Sequence, residues 1–537
     1  MAKGFSYRNR RDNLQKLAGD TVDLIVIGGG VTGAGMALDA ALRGLRVVVL
    51  EKQDFANGAS SKSSKLLHGG LRYLEHAEFK LVFESLAQRN HLLEDVPHLA
   101  TPLEFLFPTF EGGKDKGWVI GAGLTVYDLL SAMSDWKETR WHKRLTADQT
   151  RDAEPAIRYE GLRGAHRYMD GVTEDARLVV ETVKSAVEAG AIALNYVEVT
   201  GLIKDEAGKV TGVSATDTLS GRTLTLNARR VFNACGPWAD AIRRLDEPNC
   251  RRRLRPTKGV HLLTEAFVHH HAVVMRSVEK EGVSPRVVFV IPWGGRTLIG
   301  TTDTDHEGDP DDFSYLDQDV EASPEEVRYL LDAVNATFAV ELEERDVIST
   351  YAGWRPLVAP PDGSVSESAI SREYEIFTSA SGLMSIAGGK LTAFRAMARH
   401  AVDHVVRSLK EETPSLALKP SAIEHWRLSG SELPGQPFNR YVEETLKDSF
   451  KLPKALVATL VNRYGSNWPG LRNLIACDER LSQRIEGLSS HLSFYWVEPV
   501  YAVEYEGAVS RTSSCAAAGS TCSTTHRASR RSRSSPA

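Results

Sequence analysis

Short β-branched apolar runs alternate along this chain with longer segments of helical spacing. Leu24 to Ile27 is an apolar run too short for a buried helix and predicts a strand. A helix is expected from Val31 to about Arg43, then a second strand that ends on Leu50 and Glu51. Phe79, Leu81, Val82 and Leu86 are spaced for a helix from about Glu78 to Leu93, with a core role only. Thr101 to Trp141 is apolar and aromatic, broken by a Gly/Lys loop at Gly112 to Gly117, with a helix over Leu124 to Met133. Asp175 to Gly190 reads as a helix opened by an acid. Ala191 to Leu226 alternates Val, Thr and Gly and predicts a β-meander turning at Gly208 and at Ser220-Gly221.

The second half repeats the vocabulary. Arg230 to Asp240 is another strand–glycine–helix junction, centred on Gly236. A β-rich section begins at Arg255 and continues through Val287 to Ile291 and Thr297 to Asp303. Ser323-Pro-Glu-Glu opens a helix with proline at its first position. Val347 to Leu357 is a strand carrying Arg355 near its end. Ile376 to Ser379 and Leu383 to Thr392 form a hairpin-like pair leading into a helix to about Leu409. The resulting division is a lead-in (1–20), a discontinuous dinucleotide domain (21–410) and a β-rich insertion (about 101–160 and 255–350). A linker (411–435), a helical C-terminal domain (436–510) and a tail (511–537) complete it.

With 537 residues, two or three domains are expected. The net charge of −5 gives no global basic field for nucleic acid. No apolar run approaches the roughly 18 residues needed to span a bilayer. Arg8, Arg10 and Arg11 precede the first strand without an apolar h-region, which argues against a secretory signal; a short basic lead-in is expected, with a transit peptide as the alternative. The five cysteines are scattered and suggest neither a zinc site nor a disulfide framework. His269-His270-His271 does not suit a metal, because consecutive strand residues point to opposite faces. No metal site is expected. The tail is rich in Ser, Thr, Ala and Arg without acids, which reads as disorder, as a shifted reading frame or as a basic contact arm.

Gly28, Gly30 and Gly33 give the G-x-G-x-x-G spacing between strand and helix, and Glu51 closes the second strand. That arrangement brings backbone against a pyrophosphate at a helix N-terminus, with a carboxylate for ribose hydroxyls. It leaves nicotinamide and flavin both open. After it comes Ser63-Ser-Lys65-Leu-Leu-His68-Gly-Gly70-Leu-Arg72-Tyr73, dense in hydroxyls, cations and glycine. Backbone at Gly69 and Gly70 can approach a flat ring closely.

These stretches, with Gly300-Thr-Thr-Asp303 and Ala387-Gly-Gly-Lys390-Leu-Thr392, resemble the FAD-dependent, respiratory glycerol-3-phosphate dehydrogenases over about residues 20–505. The resemblance implies an α/β, Rossmann-like FAD domain of the D-amino-acid-oxidase/glutathione-reductase type. A β-sheet substrate domain (α+β) and a helical C-terminal domain would accompany it. It implies non-covalent FAD, oxidation of sn-glycerol 3-phosphate to dihydroxyacetone phosphate, and electron transfer to quinone. The enzyme would be cytoplasmic and peripheral on the inner face of the membrane, with a homodimer left open. The tail after about Val509 departs from the family's charged, leucine-containing helix.

On that resemblance, Arg72, Tyr73, Arg355 and Lys390 would hold substrate, and His261, Arg355 and His68 would serve the chemistry, with His261 as first choice of base. Arginine forks suit a phosphate dianion. FAD would lie against Gly28, Gly30, Gly33, Glu51, Ser63, Ser64, Lys65, Gly69, Gly70, Gly236, Gly388, Gly389, Leu391 and Thr392. Thr301, Thr302 and Asp303 read as loop residues near the ring. Two apolar or basic patches are candidates for a membrane surface: Trp118 to Ile120 and Trp136 to Trp141 with Lys114, Lys116, Lys137, Arg140, Lys143 and Arg144, or Arg251 to Arg255. A glycerol-3-phosphate oxidase using oxygen, an amine or amino-acid oxidase of the same fold, and a non-catalytic flavin-binding protein are the alternatives.

Overall fold

The computed structural model describes residues 5–17, 19–71, 74, 78–113, 115–134, 140–279, 285–306, 309, 312–359, 373–433, 435–486 and 493–509. Arg72, Tyr73, Trp136, Lys114, Lys137 and the tail 511–537 lie outside them.

Thr21–Ile27 is the middle of an eight-stranded sheet. It pairs in parallel with Val47–Leu50 on one side and with Arg222–Asn233 on the other, so the strand of the second strand–glycine–helix junction lies in the same sheet. Ile192–Leu194 and Met384–Gly388 extend the sheet in parallel, and Tyr374–Thr378 closes one edge antiparallel. Leu24, Ile25 and Val26 are fully buried, as a parallel strand covered on both faces requires. One face is covered by the helices Val31–Arg43, Asp175–Glu188 and Phe394–Glu412. The meander Val197–Lys204 and Val210–Asp217 contributes to the core on the other.

A second, ten-stranded sheet contains Ala100–Phe110, Leu162–Thr173, Leu254–Glu265, Ala272–Arg276, Val287–Trp293, Arg296–Gly300 and Val347–Val358. Its boundaries run past the expected insertion at both ends. The helix Pro324–Thr337 packs on one face. The helices Phe79–Asp95 and Gly117–Ala132 pack on the opposite one. The latter starts seven residues before its predicted position. Gly117, Gly121 and Gly123 weaken the propensity of its first two turns, which the sequence pattern does not mark as helix. Packing overrides propensity here: a Cβ at Gly121 would stand 2.9 Å from the His166 ring.

Four helices, Phe438–Lys447, Lys454–Tyr464, Trp468–Cys477 and Val497–Tyr505, contribute to a small C-terminal core. A buried ionic network ties this unit to the first sheet's helices: Arg177 meets Glu506 at 2.8 Å and Lys184 meets Glu181 at 3.1 Å. The segment 411–435 does not run free, since Ile423 and Leu428 are buried in the first core and Arg395 donates to the carbonyls of Glu424 and Trp426. Among the described residues, no helix is long and apolar enough to cross a membrane.

Candidate active site

The first strand ends in a turn that only glycine can make. Gly28 has φ +108°, and a Cβ there would lie 2.6 Å from the Ala234 carbonyl oxygen. A Cβ on Gly33 would stand 1.9 Å from the Gly28 oxygen, so helix and strand touch backbone to backbone. Gly30 caps the helix in extended conformation, and the Val31 N–H donates to Ser60 Oγ at 3.0 Å. Glu51 accepts from the Gly29 and Gln53 N–H groups at 2.7 and 2.8 Å, which fixes its carboxylate at the cavity wall; burial pushes its pKa up. Gly28, Gly30, Glu51, Gly236, Gly388 and Gly389 all line a cavity of ≈ 410 Å³.

A second cavity of ≈ 840 Å³ continues from the first. The two share Ala59, Pro356, Gly389, Lys390 and Leu391 in their walls, so the groove runs from Glu51 to the second sheet. Ser63, Ser64, His68, Gly70, His261, Arg355, Lys390 and Thr392 line this second part. The residues present fit an extended dinucleotide: backbone and a carboxylate at one end, a wide cavity with glycine walls and cations at the other.

Strand pairing builds the far end. Leu254–Glu265 runs antiparallel to Val347–Val358, with Thr257 opposite Arg355, Gly259 opposite Gly353 and His261 opposite Tyr351. Side chains alternate along a strand, so these pairs share one face. The absence of a side chain at Gly259 makes room for the Arg355 guanidinium, which an added Cβ would meet at 2.2 Å. Gly300 does the same for the His261 ring. Arg355 donates to Thr301 Oγ1 at 2.7 Å, to the Thr302 carbonyl at 2.9 Å and to Asp303 at 3.0 Å. The loop therefore acts on the site by holding the arginine. His261 Nε2 lies 2.8 Å from Ser64 Oγ, and the ring stacks on Tyr351 with centroids 4.7 Å apart. Burial, Arg355 and Lys65 together hold its pKa well below the usual histidine value.

Lys65 does not line either cavity. Its ammonium is fully buried, 2.7 Å from Asp175, which also accepts from Ser63 Oγ at 2.7 Å. Gly69 is likewise outside the cavity walls: its N–H donates to Tyr127 Oη, which in turn donates to Asp170. His68 sits against Phe289, with ring centroids 6.0 Å apart. Gly33 lies behind the cradle. Tyr351 and Asp175 escaped the sequence reading. The Tyr351 hydroxyl donates to the Ser63 carbonyl at 2.7 Å across 288 residues of chain. His269 and His270 are exposed, but His271 is buried.

Residues 23–395 match the FAD dependent oxidoreductase (DAO) family. The aerobic glycerol-3-phosphate dehydrogenase of Staphylococcus haemolyticus is 38% identical over 506 residues, covering 93% of this chain and 86% of that protein. The Staphylococcus aureus protein of the same name is 37% identical over 508 residues, with the same coverage. Among solved structures, the Bacillus halodurans glycerol-3-phosphate dehydrogenase complexed with FAD aligns with TM-score 0.75 and 34% identity, over 96% of this chain and 89% of that one. The L-α-glycerophosphate oxidase of Mycoplasma pneumoniae, at 16% identity and TM-score 0.56 over 76% of this chain and 98% of that one, shares the fold. With the groove, the cationic cavity and these relatives together, the chain belongs to the FAD-dependent oxidoreductases and, within them, to the aerobic glycerol-3-phosphate dehydrogenases.

Proposed function

We propose that this protein is an FAD-dependent dehydrogenase that oxidises sn-glycerol 3-phosphate at C2 to dihydroxyacetone phosphate and passes the electrons to quinone as a peripheral enzyme on the inner face of the membrane. The observation that carries the reading is the meeting of Arg355, Lys390 and His261 on the walls of one cavity, at the end of a dinucleotide groove. FAD, held by the glycine turn, Glu51 and the Gly388–Thr392 segment, supplies the hydride acceptor. Arg355 and Lys390 bind the phosphate, and the loop Thr301–Asp303 fixes the arginine fork so that the substrate takes one orientation. His261 receives the proton of the C2 hydroxyl. Burial above all, then the Arg355 and Lys65 cations, lower its proton affinity in the absence of substrate. A phosphate dianion bound at Arg355 offsets the part of that lowering due to this cation.

Anaerobic mixing of the holoprotein with glycerol 3-phosphate tests the reading. The oxidised-flavin absorption is expected to bleach, and a soluble quinone added afterwards should restore it faster than oxygen does. No bleaching would sink the substrate assignment; faster recovery with oxygen would make the protein an oxidase.

A further inference from the structure

We propose that the turn Phe313–Asp317 of the β-rich unit is a latch over the adenosine end of the FAD groove, and that it sets how slowly FAD leaves. The inference rests on FAD binding in this groove and not on the identity of the electron acceptor. The turn lies between the strand Thr304–Asp305, which pairs with Leu254–Glu265 of the second sheet, and the helix Pro324–Thr337 on that sheet's face. Ser314–Asp317 forms a single 3-10 turn. Three residues per turn put Ser314 and Asp317 on one side and leave Tyr315 and Leu316 on the others. The structure follows that division: Ser314 and Asp317, with Phe313, line the first cavity, while Tyr315 and Leu316 are buried. Tyr315 stacks on His306 with ring centroids 3.6 Å apart and meets the Trp354 ring at 5.0 Å. The inner side of the turn is thus fixed to the second sheet.

The cavity side reaches the other unit. Asp317 Oδ1 accepts from Trp238 Nε1 at 2.8 Å and forms an ion pair with Lys52. Lys52 follows Glu51, the carboxylate expected at the ribose hydroxyls, and its ammonium lies 4.7 Å from the Trp238 ring centroid. Trp238 ends the Gly236 turn and heads the helix Ala239–Asp246. From that helix, the Arg244 guanidinium lies 4.8 Å from the Phe313 ring centroid. Val199, Ile242 and Leu245 add apolar wall beside these groups, as a flat purine base requires. Lys52 and Asp317 are 265 residues apart in the chain, so the latch joins the two sheets' units across the start of the groove. It is also built to open. The Asp317 side chain is 55% exposed and that of Lys52 26%, so breaking their contacts disturbs neither core. A dinucleotide seated on the glycine turn with its adenosine under this latch leaves only after the latch lifts.

The test is FAD release from the full-length holoprotein, followed as the rise in flavin fluorescence after dilution. Asp317→Ala removes the acceptor shared by Trp238 and Lys52 and is expected to speed release about 10-fold. Asp317→Asn keeps an acceptor for Trp238 and removes the charge, so its rate should fall between those of wild type and Asp317→Ala. Lys52→Met should match Asp317→Asn, and combining the two should add nothing further, because both cut one pair. Ionic strength gives a readout on the unaltered protein. Salt should speed release from wild type, because a partly exposed ion pair is screened, and the slope should flatten in Asp317→Asn. Release from Asp317→Ala at or below the wild-type rate, additive effects of Lys52→Met and Asp317→Asn, or equal salt slopes would overturn the latch. Wild-type protein that carries no flavin would refute the groove itself, whereas flavin bound by every variant and released at one rate refutes the latch alone.

Discussion

The two ends of the groove are built from different materials. At the Glu51 end the working parts are largely backbone: a glycine turn, a helix N-terminus and a carboxylate pinned by two N–H groups. At the His261 end they are side chains, each positioned by another. Arg355 is held by Thr301, Thr302 and Asp303, His261 by Ser64 and Tyr351, and Ser63 by Asp175. A backbone-built site fails when a Cβ is added. A side-chain-built site fails when a partner is removed.

The sharpest way to break that contrast is Asp175→Ala. The substitution removes the carboxylate 2.7 Å from the fully buried Lys65 ammonium, and the whole protein is expected to lose about 3–5 kcal/mol of stability. Denaturant titration measures it. A loss below about 1 kcal/mol would show that the segment 63–68 does not depend on this pair. Next in size is Arg355→Ala, expected to lower kcat/KM for glycerol 3-phosphate by the equivalent of about 2–5 kcal/mol while FAD content stays at wild-type level. Loss of FAD along with activity would mean that the two ends are not separable.

The two ends also differ in how far the sequence reveals them. Gly28 to Gly33 and Glu51 were legible because their geometry is local: turn, helix start and second strand follow within 24 residues. His261, Arg355 and Lys390 were found through motif resemblance, and the fold brings all three to one cavity. What holds them was not legible. Ser64 and His261 are 197 residues apart, and Asp175 reaches Lys65 across 110. Such pairings depend on strand register, which polarity patterns do not specify between distant strands. The same limit explains Lys65, whose motif marks it as a ligand although its charge is spent on a buried pair. It also explains why the helix Gly117–Ala132 is expected only from Leu124: its glycine-bearing first turns depend on packing against His166.

Gly33→Ala probes the backbone end. The added methyl collides with the Gly28 carbonyl, so the turn must shift, at a cost of about 1–3 kcal/mol. The expected signature is the reverse of Arg355→Ala: weakened FAD retention on dilution, with the KM for substrate unchanged in the fraction that stays loaded. Unaltered FAD affinity would mean that the strand–helix contact can relax without reshaping the cradle.

Tyr351→Phe should have the smallest effect and makes the finest cut. It keeps the ring against His261 and removes only the hydroxyl that donates to the Ser63 carbonyl. One buried neutral hydrogen bond between the second sheet and the segment 63–64 is worth about 1 kcal/mol. Part of that loss should appear as stability in a denaturant titration. The remainder should appear in the rate of anaerobic flavin reduction, because Ser64, next in sequence, is the partner of His261 Nε2. A side-chain-built site predicts that the rate falls while FAD affinity does not. If both stay at wild-type values, stacking alone positions His261, and the link from Tyr351 through Ser63 is a fold contact without influence on the chemistry.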